Sequence, residues 1–137
     1  MPPGFVMRGA EGPSAGVVNG KYVETDERKN GDPVFGQIGT LRSDGVYGIS
    51  WWRAPNLDWT LADRASIDAN KTAGYAYIEG GAGVAHPAVE GAAVQVFAGG
   101  TWGVQASVTV HVTTASEAVR HVSHSFFLFF CYFLVCE

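Results

Sequence analysis

The chain has 137 residues, 16% of them charged, with 18 glycines and a net charge of −4. This length suits one domain with a modest core, and a charged fraction below the usual ~25% with abundant Gly, Val, Tyr and Trp excludes a typical helical bundle. The nine basic residues are spread without a cluster, so the electrostatic footprint of a nucleic-acid binder is missing.

Residues 1–16, rich in Gly, Pro, Ala and Ser, read as a flexible arm. From Val17 onward short apolar runs alternate with turn residues. Strands are predicted near 21–24, 33–38, 46–53, 57–62, 73–78, 92–97 and 101–112. Asn19-Gly20 and Asn30-Gly31 are read as turn pairs tolerating positive φ, with the polar run "ETDERK" connecting two strands between them. "YGISWWRA" is aromatic enough for a pleated, half-buried surface, and Pro55-Asn56 marks the turn after it. "DWTLADRASIDANK" (58–71) has room for one short helix between strands. "GYAYI" (74–78) alternates Tyr75 and Tyr77 with Ala76 and Ile78. Gly99-Gly100 between two alternating runs signals a hairpin. Beyond it Trp102, Val104, Ala106, Val108, Val110 and Val112 share one face of a twelve-residue period-2 run. The expected fold is all-β: a single small antiparallel sandwich or partly open barrel of about six to seven strands over residues 17–112.

The order Val18-Asn19-Gly20-x-Tyr22, Asn30-Gly31-x-Pro33-Val34-Phe35, Trp51-Trp52, Trp59, Gly74-Tyr75-Ala76-Tyr77 and a final Gly-Gly-Thr-Trp hairpin resembles a small β-rich repeat domain of large proteins in microbial eukaryotes. The match spans about residues 17–112. It departs at "AAVQVF" (92–97), where an aromatic is expected near Val94. The resemblance implies a repeated structural module and supplies no active site.

Residues 113–137 read as a linker and an apolar tail. Residues 126–136 are eleven consecutive apolar or Cys positions with five Phe, well short of the ~20 needed to span a membrane. Three readings stay open for this tail: a translation artefact, a cut-off membrane anchor, or an extra element packed on the domain. Both cysteines, Cys131 and Cys136, lie here. A cysteine-free body and an N-terminus without a signal-like h-region favour a cytoplasmic location, and Asn70-Lys71-Thr72 is then a chance match to the glycosylation pattern.

The chemistry-bearing motifs fail one by one. A calcium loop starting at Asp26 would put Arg28 at the third position and Gln37 where the bidentate Glu belongs. "GGAG" (80–83) lacks the Lys-Ser/Thr of a phosphate loop. His86, His111, His121 and His124 have no matching zinc partners and are read as exposed. Asp58, Asp63 and Asp68 are read as turn and cap residues. No catalytic residue, metal or cofactor is therefore expected. Adjacent Trp51 and Trp52 must face opposite sides of their strand, one in the core and one on the second face, where it either packs on a neighbour in a two-sided core or meets a ligand. Trp51, Trp52, Trp59, Tyr75 and Tyr77 are the candidate ligand-binding residues, for a protein or glycan partner. The expected function is a non-catalytic interaction module. The alternatives are a membrane-tethered display domain, with residues 126–136 as the anchor, and a small hydrolase using Asp58, Asp63 or Asp68 with His86 or His111.

Overall fold

The computed structural model describes residues 4–79, 83–88, 93–98 and 100–113. Within them the chain is all-β and antiparallel, with nine strands in one sheet. The strands are β1 (Gly4–Arg8), β2 (Gly20–Lys29), β3 (Asp32–Gln37), β4 (Ile49–Arg53), β5 (Trp59–Asp63), β6 (Ala76–Ile78), β7 (Val94–Ala98), β8 (Thr101–Val104) and β9 (Thr109–Thr113). Two short helices, α1 (Ala15–Val18) and α2 (Arg64–Asp68), interrupt them. The spatial order is β8-β7-β6-β5-β4-β3-β2-β1-β9, so the outermost strands are consecutive in the chain. Laid flat, nine strands would place their outer members about 38 Å apart, whereas the linker from Val104 to Thr109 reaches at most about 18 Å. The sheet therefore curls into a half-barrel.

Three expectations are corrected. Of the two expected architectures the curled sheet is on the side of the partly open barrel and not the sandwich, and among the described residues the strands number nine, not six or seven. The arm over 1–16 contains β1, which pairs with both β2 and β9. Phe5 and Met7 alternate inward there, but with only two inward positions and Gly and Pro on both flanks the pattern is easily missed. The polar run "ETDERK" is no connection: it continues β2 through a bulge between Glu24 and Arg28. Its charges suit a strand that is half-exposed along its length. The apolar tail lies outside the described residues.

The two Asn-Gly pairs part company. Asn30 and Gly31 take φ of 51° and 90°, the mirror-image turn that closes the β2–β3 hairpin between Lys29 and Asp32. Asn19 stays extended at φ −70° and caps the C-terminus of α1. Its side-chain amide instead clasps Ala10, accepting from the backbone N–H at 2.9 Å and donating to the carbonyl at 3.1 Å.

The concave face holds the main core: Phe5, Met7, Tyr22, Phe35, Trp51, Trp59, Leu61, Ile78, Val94 and Val96. Segment 9–18 closes this face on the β7–β8 side. Gln105 exchanges two hydrogen bonds with the Glu11 backbone at 2.8 and 3.0 Å, Ser14 Oγ donates to the Phe97 carbonyl at 2.6 Å, and Ser107 Oγ donates to the Gly9 carbonyl at 2.7 Å. Gly9 is required here, because a Cβ would run into the Ser107 carbonyl. A second, smaller core on the convex face gathers Val34, Trp52, Ala54 and Ala62 under Ile67 of α2.

The long alternating run 101–112 forms two strands rather than one. Residues 105–108 break it, with Val108 N–H donating back to the Gln105 carbonyl. Before the break Trp102 and Val104 sit opposite Phe97 and Gln95, on the face away from buried Val96. After it Val110 sits opposite Met7 and packs with Val108 on the concave core. The turn shifts the phase of the alternation, so one apolar stripe serves two faces.

Candidate functional site

Hairpin geometry decides where each candidate aromatic goes. In β4, Trp51 pairs with Leu61 and Phe35 and enters the concave core, and Trp52, one residue on, enters the convex core under α2. Both have no exposed surface, and neither does Trp59. The two Trp faces predicted from the sequence are thus both interior, since α2 covers the second one. Trp59 is further held by its Nε1 donating to the Val84 carbonyl at 2.8 Å and by the Arg53 guanidinium 4.4 Å from its ring centroid. Tyr75 packs partly buried on the concave core.

Tyr77 is the one candidate that reaches a surface with company. It lies half-buried on the outer face of β6, and its ring meets Trp102 of β8 edge-on at 4.8 Å. Trp102 also packs on Phe97 at 5.1 Å. Trp102 is 41% exposed, Phe97 39% and Val104 57%. Together with Gln95 these residues form an aromatic strip across β6, β7 and β8, ending at the sheet edge. Burial pushes the Tyr77 phenol above its ordinary pKa, and the Glu79 and Asp58 carboxylates push the same way, so it stays a hydrogen-bond donor. Sequence reasoning missed Phe97 and Trp102 as surface residues because the 101–112 stripe reads as one uninterrupted face. The signal that could have found them is the Phe-Ala-Gly-Gly-Thr-Trp hairpin itself: a two-residue turn places Phe97 directly opposite Trp102.

The remaining polar candidates have structural partners. Asp63 Oδ1 caps α2 by accepting from Ser66 N–H at 2.8 Å. Asp68 pairs with Arg64 at 2.9 Å, and Arg64 also forms a two-pronged pair with Glu27 at 2.7 and 2.8 Å. Asp58 accepts from Asn56 within the β4–β5 turn. The expectation of an exposed His86 is corrected: its ring packs on Phe35 at 4.6 Å and Phe5 at 5.7 Å. Its Nδ1 accepts from the Ala88 N–H at 2.9 Å. Burial lowers its pKa below the usual histidine value, with Glu24 opposing. His111 is exposed on β9. His121, His124, Cys131 and Cys136 lie outside the described residues. Among the described residues no group of three His, Cys, Asp or Glu side chains is placed to hold a metal ion, and no helix is long and apolar enough to cross a membrane. No family model matches the chain, and no curated protein or solved structure matches it at a significant level.

Proposed function

We propose that the protein is a non-catalytic interaction module that binds a polypeptide partner through the Tyr77–Phe97–Trp102 strip. The observation that supports this is the unequal treatment of the four tryptophans. Three are sealed in the two cores, and the fourth is left 41% exposed within an aromatic cluster at a sheet edge. Clustered, exposed aromatic rings are the surfaces on which interface energy concentrates. Strand β8 also borders only β7 among the described strands, so an extended peptide could add to the sheet while its side chains meet the rings. The resemblance to a repeated β-module is in keeping with this reading.

A peptide and glycan array probed with the full chain and with Trp102→Ala tests it. Peptide binding that is lost in Trp102→Ala is the expected result. Binding only to glycans, or peptide binding unchanged in the variant, overturns the assignment. Hydrolysis of a generic ester, phosphate or glycoside that disappears on changing Asp58, Asp63 or Asp68 would overturn the non-catalytic reading.

A further inference from the structure

The convex face carries a feature that the aromatic strip does not use. Between the bulge of β2 and the β3–β4 connection lies a cleft of about 850 Å³, within the ~300–1,000 Å³ typical of small-molecule sites. Its walls are apolar: Val23, Val34, Ile38, Val46 and the Tyr47 ring. Tyr47 packs against β3 because Gly36 has no side chain, and a Cβ there would collide with the ring.

Two further observations give the cleft chemical character. Ser50 alternates with Trp51, which faces the concave core, so its hydroxyl points to the convex face, where the residue lines the cleft. Ser50 is fully buried, and its Oγ has no hydrogen-bond partner among the described residues. A buried hydroxyl left unpaired is an exception that calls for a partner. The lining is also one-signed. Asp26 and Glu27 are its acidic members, and no Lys, Arg or His lines it. Glu24 borders the cleft through its strand position, but it pairs with Phe35 of the concave core and acts on His86 there. Arg64 occupies both oxygens of Glu27. Exposed Asp26 has no ion-pair or hydrogen-bond partner among the described residues. These carboxylates do not converge into a metal-holding group.

We infer that this cleft binds a small organic cation, an amine carried on an apolar, ring-sized body. The body would lie against Val23, Val34 and Tyr47, a polar group of the ligand would satisfy Ser50 Oγ, and the ammonium would sit at the Asp26 rim. The free Asp26 carboxylate favours a cation over an anion, and the apolar walls favour an organic cation over a hydrated metal ion. The site shares no residue with the aromatic strip, so either assignment can fail without the other.

The test uses 2-phenylethylamine as the probe, with 2-phenylethanol and 3-phenylpropionate as the uncharged and anionic counterparts. Each is titrated into the ¹⁵N-labelled full chain at low salt to about 10 mM, the range suited to a ligand this small. The expected result is amide shifts confined to residues 23–27, 34 and 45–50, with affinity in the order amine, alcohol, carboxylate, and amine binding weakened by added salt. Ser50→Ala should weaken the amine about five- to tenfold, the effect of one lost hydrogen bond, while leaving the thermal midpoint equal or higher. Asp26→Asn, an exposed change that does not threaten folding, should weaken it about two- to fivefold. Equal affinity for the three probes, shifts elsewhere, no shifts, or unchanged affinity in either variant overturns the inference.

Discussion

Arg53 shows how much a single side chain organises here. It is almost fully buried, donates Nε–H to Asp32 at 3.0 Å and reaches the Leu57 and Val84 carbonyls at 2.8 and 2.6 Å. One guanidinium thus ties the β4–β5 turn and the 83–88 segment to the end of the concave core. Arg53→Met removes these bonds, and the contact with the Trp59 ring, from a position that is itself almost fully buried. The expected cost is about 3 kcal/mol, read from urea unfolding. His86 works differently. Its folded pKa lies below the unfolded value of ~6.5, so the unfolded chain takes up the proton first. Stability should therefore be fully present above about pH 6.5 and fall as the pH drops from there through the lower folded value. His86→Gln keeps an acceptor for the Ala88 N–H and should flatten the pH dependence between about 6.5 and 5.5, above the range where exposed carboxylates titrate. None of these partners is legible in the sequence, because Arg53 and Val84 are brought together only by the curl of the sheet.

At the scale of elements, burial separates residues that look alike in the sequence. Trp52→Ala opens the convex core beneath α2 and should cost about 3–5 kcal/mol, whereas Trp102→Ala, on the open strip, should cost within about 1 kcal/mol. Thermal unfolding of the two variants checks this, and the reverse order would refute the placement of the strip on the surface. The five-residue α2 depends on its cap and its charge pairs. Asp63→Ala should lower stability by about 1 kcal/mol. Elements were legible wherever local chemistry sufficed: the Asn30-Gly31 turn, the β7–β8 hairpin, and β4 and β5. They were illegible where it conflicted with long-range pairing. β1 looked like an arm because its flanks are Gly and Pro, and the charged half of β2 looked like a loop although β3 holds it.

For the whole molecule, the question is how a single sheet closes. The two edge strands do not pair with each other, and segment 9–18 bridges the gap instead. The Gln105–Glu11 exchange of hydrogen bonds is the clearest link, joining residues 94 apart in the chain. Gln105→Ala should leave the fold intact but speed amide exchange at Glu11 and through residues 105–108, while β3–β5 keep their protection. Slow exchange unchanged at Glu11 would show that the bridge contributes nothing to closure. Acrylamide quenching offers a second check on the global arrangement, since Trp102 alone among the four tryptophans should be accessible.

The sequence by itself determined the all-β class, the tight turns and the aromatic richness of the core, because each rests on contacts within a few residues. It also determined that Trp51 and Trp52 point to opposite sides, a consequence of the pleat. Only the tertiary structure decided that both sides are interior, that the last alternating run turns over at residues 105–108, and that the surface tryptophan is Trp102. Periodicity states which residues share a face. Whether that face meets protein or water depends on the curl of the sheet and on what α1 and α2 cover, and those follow from pairings more than a hundred residues apart.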